Sequence, residues 1–408
     1  MDKSLDLKLA EIHADPAGSN AFLLADAKDA DMAFGMAAPG RSPEHEDGGF
    51  RSLADYREHI RENTRQGLLD IMLMSVSSNE VLTIRERLFD ASPVTPAIRA
   101  NDTTDIHVAR GASYPKAPAR PFRTAVIDHA QCGELCDDDS QRHLGANLGL
   151  FSMTFNNDAD LDRAMLGAYR EFRIEAEQKG FRHFLEIFAP NAPVNPIPPG
   201  QLGHYLNDLI ARALAGVPRK ARPIFLKMVY TGPKAMEELV HYDPHLVPGI
   251  LGGSAGTTYD AFKLLAEAKA HGARAALFGR KINNAEHQLG FIQFLRWIAD
   301  GEVSPEEAVA AYHGMLQGLG IQPKRRLEED MQLTDTAISY AGRAGRTVGA
   351  ATRAAVPAAA QRSAVPNVAP PAGAPDYPRK PDGAPDFANM TSQQRLAYHK
   401  ARLDKAIG

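Results

Sequence analysis

The residue with the most chemistry to offer is a lysine in an apolar setting, Lys227 in Pro-Ile-Phe-Leu-Lys-Met-Val-Tyr. Lysine is rarely buried unless it is paired or functional. Apolar surroundings favour the neutral form of an amine, which is the nucleophile that attacks a carbonyl to give a Schiff base. A strand-end lysine that reaches solvent, or pairs with a carboxylate, explains the same residue without catalysis. Glu186, in Arg-His-Phe-Leu-Glu-Ile-Phe about 40 residues earlier, is the matching oddity. If the two segments are neighbouring strands, Glu186 comes within reach of Lys227, either as its structural ion-pair partner or as an acid/base for carbinolamine formation and dehydration.

Three further groups fit around such a centre. Gly252-Gly253-Ser254-Ala255-Gly256-Thr257 follows an apolar run and opens a helix expected to begin near Thr257. Small residues let backbone N–H groups approach an anion and the helix end adds partial positive charge, so Gly252, Gly253 and Ser254 are candidate phosphate ligands. Tight turns use the same residues. Phe278-Gly279-Arg280 ends a later run; Gly279 and Arg280 could complete the anion site, although Arg280 also suits a rim salt bridge. Asp26, at the end of the first run, is a candidate general base or hydroxyl acceptor, with Lys28 a phosphate or sugar contact. A solvated charged loop accounts for Lys28, Asp29 and Asp31 about equally well. Asp128-His129 and Glu134–Asp139 raise the question of a metal, but no strong ligand spacing accompanies them, and neither a metal nor another cofactor is expected.

These residues need a scaffold. From residue 20 to about 320, short apolar runs alternate with amphipathic stretches, as in repeated βα units. Eight runs can be counted: Asn20–Asp26, Leu69–Val76, Thr124–Asp128, Leu150–Phe155, His183–Phe188, Ile224–Tyr230, Val247–Gly252 and Ala275–Gly279. Eight strands close a barrel, and the span of about 260 residues compares with roughly 250 for a (β/α)8 TIM barrel, whose catalytic groups sit at strand carboxyl ends and whose phosphate sites use the loops after strands seven and eight. Leu161, Met165, Ala168, Phe172 and Ala176 give Asp158–Lys179 one apolar helical face, stopped by Gly180. Ser77 with Glu80, and Ser304 with Glu307, fit capping boxes. The stretch from about Asp90 to Arg120 is expected to be an insertion between the second and third strands, acting as a lid or a subunit contact.

The barrel is expected to occupy residues 1–330. Residues 331–390 form an expected linker, since Ala, Pro, Gly and Arg dominate from about Gly342 to Ala384 and offer little burial to offset ordering entropy. Residues 391–408 could make a short helix, with Leu396, Leu403 and Ile407 near one side, able to dock an assembly partner. The fold expectation is thus an α/β barrel with a largely disordered Ala/Pro-rich C-terminal tail. A formal charge of −4 offers no basic field for nucleic acid, and no stretch approaches a membrane span, so a small molecule is the default partner. Cys132 and Cys136 read as reduced thiols of a cytoplasmic protein.

Together, the lysine strand, the glutamate strand, the Gly-Gly-Ser-Ala-Gly-Thr loop and Phe-Gly-Arg resemble the class I aldolases of the deoxyribose-phosphate, fructose-bisphosphate and tagatose-bisphosphate group. The resemblance covers roughly residues 20–320 and is best over Phe184–Arg280. It implies a Schiff base on Lys227, a fifth-strand glutamate at Glu186, a first-strand aspartate at Asp26, a sugar-phosphate substrate and a homo-oligomer as one option. The fourth-strand lysine or tyrosine common in such relatives is missing here, leaving Ser152, Thr154 and Asn156 as its polar residues. Reversible aldol cleavage of a phosphorylated ketose is the leading expectation. The alternatives are a transaldolase or deoxyribose-phosphate-type aldolase, and a non-catalytic barrel recruited as a scaffold through its tail.

Overall fold

The structure is a computed structural model that describes residues 2–42, 49–192, 194–253 and 256–334, together with short stretches between 377 and 398. Eight parallel strands close a barrel: β1 (Leu23–Lys28), β2 (Ile71–Met74), β3 (Thr95–Arg99), β4 (Leu148–Thr154), β5 (Arg182–Phe188), β6 (Leu226–Met228), β7 (Gly249–Leu251) and β8 (Ala275–Phe278). Each pairs with its neighbours in chain order, and β8 returns to β1 with Asp26 opposite Phe278.

Strand parity divides the apolar residues into two layers, because successive side chains leave a strand on opposite faces. Leu23, Ala25 and Ala27 of β1 share the barrel interior with Ile71, Leu73, Ala97, Leu148, Leu150, Phe184, Ala275 and Leu277. Leu5, Leu9 and Ile12 of the helix Ser4–Ala14 join that cluster. The alternate residues, among them Ile98, Phe151, Met153, Leu185, Ile187, Leu226 and Met228, pack outward with helix residues such as Met165, Phe172, Leu206 and Ile210.

The helix expected over Asp158–Lys179 spans Ala159–Gln178, with Asp158 accepting from the amides of Asp160 and Leu161. Ser304 and Glu307 form the expected capping box, whereas the turn after β2 is capped by Ser75 rather than Ser77. Among the described residues no helix is long and apolar enough to cross a membrane.

Two expectations are corrected. The third strand is Thr95–Arg99 and lies within the supposed insertion, while Ile127–Cys132, overlapping the expected Thr124–Asp128 run, is a helix. Asp128 therefore ends no barrel strand; it pairs with Arg142 at 2.6 Å and Lys179 at 2.8 Å. Proline and alanine break up the apolar signal of Thr-Pro-Ala-Ile-Arg, and a proline argues against a central strand, whereas Thr-Ala-Val-Ile is rich in β-branched residues. The cysteines are joined in a Cys132–Cys136 disulfide rather than free.

Residues 349–408 form a separate unit. The linker expected around Gly342–Ala384 falls almost wholly outside the described residues, as do Leu396, Leu403 and Ile407. Within this unit Gln394, Arg395, Ala397 and Tyr398 are helical, and Thr391 and Gln394 cap each other reciprocally at 2.9 and 3.2 Å.

Candidate active site

Parity and register bring the central pair together. Glu186 alternates with the inward Phe184 on β5, Lys227 follows the inward Phe225 by two residues, and the two are directly opposite in the β5–β6 ladder. Lys227 Nζ lies 2.5 Å from Glu186 Oε1, with side chains 5% and 0% exposed. The contact is an ion pair by distance but lacks hydrogen-bond alignment, so Oε1 has no aligned donor.

The second oxygen of Glu186 is held more tightly. Ser152, opposite it on β4, donates from Oγ to Oε2 at 2.6 Å, and the Arg99 guanidinium donates to Oε2 at 3.4 Å. Arg99 also donates to Ser152 Oγ at 2.9 Å and, through Nε, to Asp29 Oδ2 at 2.5 Å. Arg99 and Glu186 are fully buried and Asp29 nearly so. A continuous polar chain thus runs around the inside of the barrel from the end of β1 to β6.

Further carboxylates ring the β1–β4 side. Burial pushes Asp102 up to about 6, against the opposing pull of Arg99. Burial also raises Asp105, which accepts from Thr154 Oγ1 at 3.0 Å, and Asp31, which accepts from Ser75 Oγ at 2.6 Å. On the opposite side an apolar layer consists of Phe188, Val229 and Leu251. Ile106, from the loop after β3, packs onto these residues and roofs the mouth. The base of this loop is a two-stranded ribbon, Asp102–Thr103 with Pro121–Phe122. It is pinned where Asn156 exchanges two hydrogen bonds with the backbone of Ala119 and where the Val108 amide donates to Ala33. Asn156 thus serves the roof, whereas Ser152 and Thr154 face the polar arc.

Asp26 and Lys28 lie elsewhere. They leave β1 on the face opposite Ala25 and Ala27, beneath the helices Leu53–Gln66 and Gln288–Asp300. Asp26 Oδ2 accepts from Asn63 at 2.8 Å and lies 3.4 Å from Lys28 Nζ. Lys28 donates to Gln288 at 2.8 Å and Asn283 at 3.3 Å. Burial raises the Asp26 carboxyl and lowers the Lys28 amine. The structure does not bring this pair to Lys227; the inward acid of the first strand end is Asp29.

The loop after β7 is only partly described, since Ser254 and Ala255 lie outside the described residues. Gly252 and Gly279 have packing reasons to be glycine: a Cβ at Gly252 would meet the Phe278 ring at 2.0 Å, and one at Gly279 would meet the Ala27 carbonyl at 2.6 Å. The helix Thr258–Ala270 already spends its first amides on carboxylates, Thr257 on Asp260 and Thr258 on Asp330, both at 2.7 Å. Two cations follow β8, of which Lys281 touches the loop. Arg280 stacks over Phe34 at 5.2 Å. Lys281 donates to the Gly256 carbonyl at 2.8 Å, and burial lowers its amine to about 8.

Sequence reasoning missed Arg99, Asp29 and Lys281. A charged residue closing the Thr95–Arg99 run was the available signal for Arg99, but the proline hid the strand.

No protein-family profile matches the chain, and no curated protein matches it by sequence. Solved structures do match in fold. An archaeal fructose-1,6-bisphosphate aldolase, described with its catalytic lysine bound to the carbinolamine intermediate, is similar at 15% identity and a TM-score of 0.51, over 72% of this chain and all of that one. The fructose-bisphosphate aldolase of Slackia heliotrinireducens is similar at 13% identity and a TM-score of 0.53, over 76% of this chain and 91% of its own. The likeness establishes the barrel fold shared with Schiff-base aldolases.

Proposed function

We propose that the chain is a class I aldolase that cleaves and forms a phosphorylated ketose reversibly through a Schiff base on Lys227. The observation that carries this reading is the Lys227–Glu186 pair inside the barrel mouth, 2.5 Å apart and shielded from water. Glu186 Oε1 takes the ammonium proton, and the freed amine attacks the ketose carbonyl to give a carbinolamine. Glu186 returns the proton to the carbinolamine hydroxyl, which leaves as water, and an iminium remains. The bond between the carbon next to the imine carbon and the hydroxyl-bearing carbon beyond it then breaks. Its electron pair flows into the iminium to give an enamine, and the departing carbon becomes an aldehyde as its hydroxyl gives up a proton to the Glu186 carboxylate, which then protonates the enamine. Protonation of the enamine and hydrolysis release the second fragment.

Asp26 is not assigned a proton-transfer role, because it lies behind the strand. Asp29 faces the site but is committed to Arg99. Arg280 and the glycine loop, with Lys281 beneath it, supply positive charge and amides for one phosphate. The Phe188–Val229–Leu251–Ile106 layer keeps water from the imine, which would otherwise hydrolyse early.

Assaying cleavage of a sugar-phosphate panel tests this reading. The expected activity survives a metal chelator and is lost on borohydride treatment in the presence of substrate. Chelator-sensitive cleavage, or indifference to borohydride, would contradict it.

A further inference from the structure

Glu186 is fully buried and must offer one chosen oxygen to Lys227. A carboxylate taken out of water is expensive to ionise and, with both oxygens unrestrained, can rotate away from its partner. Neither β5 nor β6 supplies a second holding group in this structure. The restraint comes from β4 and, two strands away, from β3.

We propose that Arg99 is the positioning residue of this site, clamping Glu186 Oε2 together with Ser152 so that Oε1 alone faces Lys227. The inference rests on the Schiff-base reading for its kinetic consequences but not for its structural ones. The geometry is specific. Arg99 uses separate nitrogens for Asp29, Ser152 and Glu186, at 2.5, 2.9 and 3.4 Å. Asp29 orients the guanidinium, and Ser152 both receives from Arg99 and donates to Glu186 at 2.6 Å. A planar, permanently charged fork suits three acceptors on separate segments in a way an ammonium does not. Arg99 also offsets the negative field around Glu186. The charged groups facing that carboxylate are Lys227 from β6 and Arg99 from β3, with Asp29 after β1 and Asp102 and Asp105 after β3. Without Arg99, three carboxylates and Glu186 would share the mouth with Lys227 as the single cation among these groups.

The test compares full-length Arg99→Met, Arg99→Lys and Ser152→Ala with the parent chain. In R99M, kcat for ketose cleavage, or the rate of borohydride-trapped adduct formation, falls about 100-fold, the lower range for general acid–base catalysis, while KM changes little. The acid limb of the pH profile moves to higher pH, and R99K recovers part of both effects. S152A removes a hydroxyl without unpairing a charge; it keeps the test readable if R99M does not fold, and gives a smaller loss of kcat with the same direction of pH shift. A substrate-free readout separates this proposal from the Schiff-base reading: the infrared carboxylate band that disappears in Glu186→Gln converts to the acid form at higher pH in R99M than in the parent. Unmoved pH profiles and an unmoved band in R99M and S152A overturn the positioning role. An absent adduct in the parent with a shifted band in R99M would instead sink the Schiff-base reading and leave the clamp standing.

Discussion

Two buried lysine–carboxylate pairs lie on the same barrel and differ in face. Lys227–Glu186 points into the mouth, and Lys28–Asp26 points outward beneath two helices. Both lysines stand in apolar strands, and both pairs are almost entirely sealed from solvent. Their surroundings differ in kind. The outer pair is hydrogen-bonded by amides, Asn63, Asn283 and Gln288, with the Tyr56 ring 5.9 Å from the Lys28 amine. The inner pair is wired through Ser152 and Arg99 to Asp29 and faces the mouth that Ile106 roofs. A buried ion pair is thus weak evidence of catalysis; the face it occupies carries the information.

The comparison can be broken by mutation. Lys227→Met is expected to lower kcat by ~10⁴ or more, the scale of losing a covalent nucleophile, with a smaller loss of stability than at the outer pair, because Arg99 and Ser152 still hold Glu186. Lys28→Met reverses the pattern: it leaves Asp26 unpaired inside the protein and costs about 3–5 kcal/mol in chemical denaturation, while adduct formation at Lys227 persists. Replacing both outer partners, Lys28→Met with Asp26→Leu, recovers most of that loss. A double variant as unstable as the single one would show that the outer charges have a further use.

The carboxylate ring gives a pH-dependent effect of intermediate size. Burial pushes the Asp102 carboxyl up to about 6 from its ordinary 3.8. Its ionisation therefore opposes folding, increasingly as pH rises from about 4 to about 6, and the penalty is complete above that. Asp102→Asn should stabilise the protein by up to about 3 kcal/mol at pH 7–8 and by nothing below pH 4. Equal stabilisation at both pH values would assign the effect to packing. The smallest effect concerns the roof. Ile106→Val removes one buried methylene, costs about 0.5–1.5 kcal/mol, and speeds borohydride capture of a bulky carbonyl compound at Lys227. Lost stability with an unchanged capture rate would make Ile106 a packing residue and not a gate.

The sequence was legible where periodicity and chemistry agreed. Seven of the eight barrel strands follow from apolar runs, and Glu186 opposite Lys227 follows from neighbouring strands. The third strand was hidden by Pro96, and Arg99 with it. The misplacement of Asp26 has a different cause. Strands of a parallel barrel are buried on both faces, so Phe22-Leu23-Leu24-Ala25-Asp26-Ala27-Lys28 shows no alternation to reveal which residues point inward. A charge in such a run announces burial, not direction. Helix Leu53–Gln66 supplies Asn63 to receive Asp26, a contact between residues 37 positions apart that no local pattern encodes. The loop glycines were read as phosphate ligands, yet Gly252 and Gly279 already satisfy tight packing.

The most direct measurement is peptide mapping by mass spectrometry after borohydride reduction of the protein with a ketose phosphate. The account predicts a single adduct, with the mass of the donor fragment or the intact sugar, on Lys227 and none on Lys28. An adduct on another lysine, or none on Lys227 while the sugar is being cleaved, would contradict it.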